Sequence, residues 1–234
     1  MFWFYDYWYI VLVMPAVIFS IIASIKVNTT FEKYSRVRSS RGITGAEAAR
    51  RVLDANGLHS VKIEQVRGKL TDHYDPRNNT VYLSESVYSV PSAAAIGVAA
   101  HEAGHAVQHA VGYTPIKIRA AIIPVTNFAS QLSFPLILIG LLFSASNLIM
   151  LAYLGVACFG MSTLFQLVTL PTEFNASRRA LEAISSSGIL SRDEIGSARK
   201  VLSAAAMTYV AALAVSLMQL LRLLIIVSGN DRRR

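Results

Sequence analysis

The chain has 234 residues, a length that fits one domain or one domain combined with membrane segments. Its residues are 53% hydrophobic and only 15% charged, whereas soluble domains average about 25% charged residues, so the composition excludes an ordinary water-soluble protein. The formal net charge is +8, but no nucleic-acid-binding motif accompanies it, and the single cysteine, Cys158, excludes a disulfide framework and a cysteine-based zinc site.

Three long stretches without a charged residue account for the low charge. They cover residues 7–25, 120–172 and 201–221, with 19, 53 and 21 residues respectively. Because about 20 apolar residues are needed to cross the hydrocarbon core of a bilayer, the first and third can each cross once and the second can cross twice. The sequence therefore predicts an integral membrane protein, predominantly α-helical, with about four membrane helices.

The N-terminal stretch is interpreted as a transmembrane anchor over residues 1–25. A cleaved signal peptide would begin with positive charge, and the first six residues carry none. Basic residues follow the anchor within residues 26–41, where the positive-inside rule predicts the cytoplasmic side and contact with anionic lipid. The start of the stretch is rich in aromatic residues that suit the membrane interface, namely Trp3, Tyr5, Tyr7, Trp8 and Tyr9.

The soluble part that follows is expected to contain a helix and a small sheet. Thr44, with Glu47 three residues later, has the pattern of a capping box at a helix start, and Gly57 is expected to end that helix. Residues 61–66 and 80–84 have the residue pattern of two strands. The second strand is a candidate edge strand, to which an extended peptide could add. His73 is expected to lie in a loop between the two strands.

The most specific feature of the sequence is His-Glu-Ala-Gly-His at residues 101–105, within an Ala-rich segment that looks helical. Residues four apart share one face of a helix, so His101 and His105 can bind a single metal ion. Glu102 lies beside the first ligand, where it can take a proton from a water molecule that the metal activates. This pattern is typical of zinc hydrolases, so it predicts a zincin domain over residues 26–119 with Zn²⁺ as its cofactor and no organic cofactor.

The uncharged stretch over residues 120–172 is expected to form a transmembrane hairpin. Its two helices are expected at about residues 127–144 and 148–168, with a turn near Ser144, the most polar point of the stretch.

Two further segments are expected after the hairpin. Pro171 marks the exit and the start of a charged helical segment over residues 173–200, and residues 201–234 form a last membrane helix with a basic tail. If residues 26–41 and 178–200 both face the cytoplasm, a spanning last helix would place its basic tail outside, against the charge rule. The sequence leaves open whether this helix crosses completely.

A catalytic zinc site needs a third protein ligand besides the two histidines. Glu173 fits best, because a membrane hairpin returns the chain close to its starting point and glutamate-type zincins take this ligand from a later helix. Alternatively, Glu173 is an acid in the first turn of a helix, where the helix dipole favours it. His109 continues the four-residue spacing after His105 and is expected to be a supporting or surface group, because one helix face rarely supplies three ligands.

Three segments together resemble a known family. They are residues 101–105, Asp-His-Tyr-Asp-Pro-Arg-Asn at 72–78, and Pro-Thr-Glu-Phe-Asn-Ala-Ser-Arg-Arg-Ala at 171–180. They resemble the YugP-type neutral zinc metallopeptidases of bacterial membranes, over almost the whole chain. In the order of its parts the chain is also similar to the HtpX and CAAX prenyl protease group. The resemblance implies a gluzincin-like core, Glu173 as the third ligand, and an active site on the cytoplasmic side of the plasma membrane.

One departure from the broader group concerns the residue that orients a ligand histidine. That group usually places an Asp four residues after the ligand Glu, and here this position is Ser177. Asn175 is another candidate close by, and His109 is a third. A hydrogen bond from such a residue holds the imidazole in the orientation that the metal requires.

The function predicted from these residues is a multi-pass, membrane-embedded zinc endopeptidase that cleaves membrane or membrane-proximal proteins, with Glu102 as general base. Two alternatives stay open. One is a non-proteolytic membrane scaffold whose structural zinc is closed by a fourth ligand such as His109. The other is a zinc hydrolase of another substrate class. The expected partners are a protein or peptide substrate and the lipid bilayer, not nucleic acid, and the oligomeric state stays open.

Overall fold

The computed structural model describes residues 7–143 and 148–231, and these form a predominantly helical protein with one small sheet. A π-helical turn, Tyr9–Val13, continues directly into the first α-helix. The elements in chain order are α1 (Met14–Ser35), α2 (Gly45–Ala55), β1 (Lys62–Val66), β2 (His73–Asp75), β3 (Thr80–Ser84), α3 (Ala93–Ala110), α4 (Thr114–Leu142), α5 (Ile149–Ser186) and α6 (Arg192–Asp231). The predicted fold class is confirmed.

Four helices of the described residues are long and apolar enough to cross a membrane. Between 11% and 22% of their most apolar windows is buried inside the protein, so most of this surface is left for lipid to cover. The number agrees with the sequence prediction. Their bounds are Tyr9–Ser35, Thr114–Leu142, Ile149–Ser186 and Arg192–Asn230.

The long helices continue through prolines, including Pro171, which was expected to mark the start of a new helical segment. α4 already begins at Thr114 and contains Pro124 and Pro135, and α5 runs through Pro171 to Ser186. The predicted break at Pro171, with a new helix after it, is therefore wrong. A proline inside a helix removes one backbone hydrogen bond, but long apolar helices tolerate the loss because neighbouring groups satisfy the freed carbonyl.

α6 also differs from its predicted bounds, because it runs without interruption from Arg192 to Asp231. The charged residues 192–200 and the last apolar stretch thus belong to one helix. Some predicted features lie outside the described residues, namely the turn near Ser144, the aromatic residues Trp3 and Tyr5, and the basic tail at residues 232–234.

The chain forms two compact units. The membrane unit consists of Met1–Ala23, Ile118–Leu170 and Thr208–Arg234, and it holds the apolar parts of the long helices. The globular unit consists of Ser24–Lys117 and Pro171–Met207, and it holds the sheet, α2, α3 and the more polar parts of α1, α5 and α6.

The order of the strands in the globular unit is β1-β3-β2. β1 is parallel to β3, with Lys62 opposite Thr80, and β2 is antiparallel to it, with His73 opposite Tyr82. The prediction that residues 80–84 form an edge strand is therefore wrong, because β3 has a partner on both sides. His73 lies in β2 and not in the predicted loop. Strand order depends on pairing between distant segments, which the local alternation of residues does not reveal.

α2 and α3 begin with the side-chain caps that their sequences favour. Thr44 and Glu47 form the predicted capping box: the Thr44 hydroxyl accepts the Glu47 N–H at 3.3 Å, and the Glu47 carboxylate accepts the Thr44 N–H at 2.8 Å. The Ser92 hydroxyl accepts the Ala95 N–H at 3.2 Å and so caps α3. The capping-box prediction is confirmed.

The core of the globular unit surrounds α3. The helix buries an alanine-rich surface that includes Ala95, Ala99 and Ala103, each with no exposed area. Residues from α2, β3, α5 and α6 complete this core, among them Leu53, Leu83, Ile184 and Val201. Because alanine and glycine side chains are small, neighbouring helices can approach the α3 backbone closely.

In the membrane unit, α4 and α5 are in close contact at glycines. A Cβ atom placed on Gly155 would lie 2.7 Å from the Ser133 carbonyl oxygen, and Gly140 lies directly against the backbone of Ala152. The Ser133 hydroxyl also donates to the Gly155 carbonyl at 2.9 Å. Small residues at such interfaces let two membrane helices pack backbone to backbone.

We expect Gly155→Ala to lower the free energy of unfolding of the detergent-solubilised protein by about 1–3 kcal/mol, because the added methyl group overpacks the interface. Gly160→Ala is the matched control, since no atom lies within 4 Å of the added Cβ. It should leave stability unchanged or raise it by up to about 1 kcal/mol through helix propensity. Denaturation with increasing SDS measures the free energy of unfolding of each variant. An equal change in the two variants would contradict the close packing at Gly155.

Candidate metal centre

The two histidines of the His-Glu-Ala-Gly-His motif lie in the middle of α3, on one face of the helix. The rings of His101 and His105 are nearly perpendicular, with centroids 4.7 Å apart. His105 is buried and His101 is half-buried. A buried helix whose backbone is fixed by a cap and by close neighbours can hold two imidazoles in a constant relative position.

α5 brings Glu173 to the same point. Its carboxylate is only 2% exposed, and Oε2 lies 3.2 Å from Nε2 of His101 and 3.4 Å from Nε2 of His105. The ligand atoms of the three side chains lie within 4.8 Å of one another, and within residues 7–143 and 148–231 this is the one cluster of three or more metal-binding side chains. The structure therefore brings together the three residues that the sequence singled out as ligands.

These distances fit a divalent metal ion. Ligand atoms at about 2.0–2.1 Å from a tetrahedral zinc ion lie about 3.3 Å from each other, which agrees with the two separations between Glu173 and the histidines. Two imidazole nitrogens with one carboxylate oxygen are also the donor set of catalytic zinc sites that keep a fourth position for water. The arrangement can thus hold Zn²⁺ through three side chains.

Each of the two histidines has a hydrogen-bond partner on its Nδ1 atom, the ring nitrogen that does not face Glu173. Nδ1 of His101 lies 3.1 Å from the Ser177 hydroxyl, and Nδ1 of His105 lies 3.0 Å from Oε1 of Gln108. When Nδ1 donates its hydrogen to such a partner, Nε2 carries the lone pair that a metal needs. Both partners therefore leave Nε2 facing Glu173 and available as a ligand atom.

Gln108 connects α3 with α5. Its side chain has no exposed area, and its amide nitrogen donates to the Thr172 carbonyl at 2.8 Å and to Oδ1 of Asn175 at 3.0 Å. Arg179 donates to the same Asn175 oxygen at 2.8 Å. These bonds satisfy the buried Gln108 amide and fix the oxygen that faces His105.

The three supporting residues considered from the sequence have different surroundings. Ser177 contacts a ligand histidine directly, whereas Asn175 contacts Gln108. His109 lies against the ring of Tyr74, with centroids 5.5 Å apart, and does not belong to the ligand cluster. Gln108 was missed, although its position three residues after His105 places it on the same helix face.

Glu102 lies beside this cluster and is 9% exposed. Among the described residues no protein group donates a hydrogen bond to its carboxylate. Burial alone would lower the pKa of His105, but the adjacent Glu173 and the charge of Glu102 raise it above its ordinary value. The electrostatic potential at the two histidines is therefore negative, which favours a bound cation.

A second acid, Asp72, lies close enough to Glu102 for the two carboxyl groups to interact electrostatically. Burial raises the pKa of its carboxyl group, although the Ser84 N–H and hydroxyl donate to it at 2.7 and 3.0 Å, and the charge of Glu102 raises it further.

We expect Gln108→Leu to weaken zinc affinity by about 10- to 100-fold, the usual effect of losing a hydrogen-bond partner of a ligand histidine. The change leaves Nδ1 of His105 without its acceptor. Gln65→Leu on β1, where Gln65 is exposed, is the control and should bind zinc normally. Competition with a fluorescent chelator gives both affinities, and an unchanged affinity in Gln108→Leu would refute this role.

A substitution at Gly104 tests whether the metal centre depends on the close approach of α3 and α5. A Cβ atom there would lie 2.9 Å from the Ala176 carbonyl oxygen, so Gly104→Ala should push the helix carrying His105 away from the helix carrying Glu173. We expect reduced zinc content per chain. Gly196→Ala, with no atom within 4 Å of the added Cβ, should retain zinc. Equal zinc content in both variants would show that the helices adjust without disturbing the ligands.

Comparisons with known proteins agree with this geometry. The sequence profile of a family described as "Putative neutral zinc metallopeptidase" matches residues 9–228. A Bacillus subtilis (strain 168) protein named "Putative membrane protease YugP" is 51% identical over 224 residues, covering 95% of this chain and 98% of that protein. No solved structure matches the chain. The similarity to the HtpX and CAAX prenyl protease group stays a prediction, whereas the main resemblance is confirmed: the chain belongs to the neutral zinc metallopeptidase family.

Proposed function

We propose that the protein is a membrane-embedded zinc endopeptidase with its active site at His101, Glu102, His105 and Glu173. The observation that carries this proposal is the convergence of three candidate ligand side chains beside the Glu102 carboxylate, which accepts no hydrogen bond from the residues that the structure describes. Membership of a zinc metallopeptidase family supports hydrolysis of peptide bonds. The four apolar helices support action at a membrane.

In the proposed reaction the metal ion and the protein side chains have different roles. Zn²⁺ held by His101, His105 and Glu173 would supply Lewis acidity, which polarises a carbonyl group and makes water a nucleophile near pH 7. Glu102 takes the proton of the attacking water and later delivers it to the leaving amine. Its neighbouring position in α3 keeps it next to the ligands. Because none of the described residues donates a hydrogen bond to it, its oxygens are available for water.

Ser177 and Gln108 act through the histidines. Their hydrogen bonds to Nδ1 keep Nε2 of each ring pointed at Glu173. Because the two imidazoles are already ordered, metal binding does not have to reduce their conformational entropy. Asn175 supports this role through Gln108 and does not itself touch a ligand.

The substrate would bind as an extended strand along β2. β3 is paired on both sides, whereas β2 pairs only with β3 within the part of the chain that the structure describes. β2 also lies beside α3, because the ring of Tyr74 contacts His109, one helical turn beyond His105. Backbone hydrogen bonds to an edge strand give affinity for an unfolded peptide largely independent of its sequence.

The proposed location is the plasma membrane, with the active site on the cytoplasmic side. The globular unit contains the basic segment directly after the first apolar stretch, including Arg36, Arg38 and Arg41. The positive-inside rule places such segments in the cytoplasm. Membrane proteins and proteins close to the membrane are accordingly the proposed substrates.

A purely structural zinc site is disfavoured by the ligand set. Structural sites are closed by four protein ligands, whereas in the described residues the cluster holds three, and His109 contacts Tyr74 instead. An open fourth position next to Glu102 is the arrangement of a hydrolase.

The test is zinc content together with casein cleavage by the detergent-purified protein. Glu102→Gln should keep about one zinc per chain and lose about 10²- to 10⁴-fold in activity, the contribution of a general base. Glu173→Gln should lose zinc as well as activity. Glu64→Gln, an exposed acid on β1, is the control for the loss of a negative charge. Full activity in Glu102→Gln would rule out the general-base role, and zinc binding without proteolysis in the wild type would rule out the peptidase.

A further inference from the structure

A cavity of about 400 Å³ in the globular unit is lined by α1 and α6 and not by the metal ligands. We call it the basic groove, and its main lining residues are Lys26, Lys33, Tyr34, Arg199, Lys200 and Ser203. Four of these carry positive charge, and no acidic residue lies among the residues that line the cavity.

The four cations of the basic groove have no ion-pair partner among the residues that the structure describes. No carboxylate of the described residues forms an ion pair with Lys26, Lys33, Arg199 or Lys200. Glu32, on the same helix as two of them, pairs with Lys69 at 2.7 Å. Within the described residues, four cations from two helices thus converge without an ion-paired carboxylate, an arrangement that an external anion would stabilise.

Two of the four cations lie near the same aromatic ring, that of Tyr34. The ammonium groups of Lys33 and Lys200 lie 5.6 and 5.7 Å from the centre of the Tyr34 ring. Each distance is within the range of a cation–π interaction. Because Lys33 belongs to α1 and Lys200 to α6, the ring places charges from two separate helices around one space.

The basic groove lies where two candidate membrane helices pass from apolar to charged sequence. Lys26 follows directly on the uncharged residues 7–25, and Lys200 directly precedes the uncharged residues 201–221. Lysine, arginine and tyrosine at such positions belong to the membrane interface, at the level of lipid headgroups.

We infer that the basic groove is a binding site for the phosphate-bearing headgroup of an anionic phospholipid. The four cations supply the charge, Ser203 supplies a hydroxyl donor, and Ala204 and Met207, which also line the cavity, offer apolar surface to the start of the acyl chains. Its position beside two apolar stretches selects a lipid over a soluble phosphate compound. The site fixes the depth at which the helices leave the bilayer, which a diffuse surface charge does not do.

Native mass spectrometry of the full chain in detergent, at about 0.15 M ionic strength to screen non-specific attraction, tests the inference. The ligand is short-chain phosphatidylglycerol, compared with phosphatidylcholine of the same chain length. We expect wild type to prefer phosphatidylglycerol, and Lys33→Gln/Lys200→Gln to bind it about ten-fold or more weakly. Lys62→Gln/Arg67→Gln removes the same charge from exposed positions outside the basic groove and should bind like wild type.

Several results would overturn the inference. They are equal binding of the two lipids, equal losses in the two double variants, or displacement of the lipid by inorganic phosphate at the same concentration, which would indicate a soluble ligand. Zinc content and a single elution peak verify that each variant is folded. If Lys33→Gln/Lys200→Gln is not folded by these criteria, Lys26→Gln/Arg199→Gln replaces it, and we expect the same loss of phosphatidylglycerol binding.

Discussion

The buried carboxylate of Glu173 is the constraint on which the metal centre depends. A carboxylate that is only 2% exposed must be compensated by charge or by hydrogen bonds, and here that charge would be a cation held between its Oε2 and the Nε2 atoms of His101 and His105, which lie 3.2 and 3.4 Å away. That contact requires the backbones of α3 and α5 to approach closely, which explains why Gly104 faces the Ala176 carbonyl. The small residues of α3 are thus a condition for the site and not only a packing preference.

The proposed metal ligands and the side chains that hydrogen-bond to them come from the same two helices. α3 carries both histidines and Gln108, while α5 carries Glu173 with Ser177 one turn later. A side chain four residues after a ligand lies on the same face of the helix, so a single helix contact brings the ligand and the orienting hydroxyl into place together. The group that orients His105 is an amide on its own helix, and the one that orients His101 is a hydroxyl on the other.

The sequence could predict those features that depend on local spacing. The histidine pair with four-residue spacing, the capping box at Thr44 and the apolar stretches follow from periodicity or length, and the structure contains each of them as a local element. Glu173 required an argument about chain return and a family resemblance, because its partners are about 70 residues away. Features that depend on distant contacts were missed. The position of Gln108 beside His105 is local, but its buried amide is satisfied by Thr172 and Asn175, more than 60 residues away. β3 is the central strand because both β1 and β2 pair with it.

The alanine-rich sequence of α3 has an entropic consequence. An alanine side chain has no rotamers to lose when it is buried, whereas leucine or methionine loses conformational freedom in a core. α3 therefore enters the interior with little loss of side-chain entropy, but each alanine also removes little apolar area from water. Its binding to the surrounding helices must come mainly from many short-range dispersion contacts, which weaken steeply with separation. A helix held in this way has few alternative positions of similar energy.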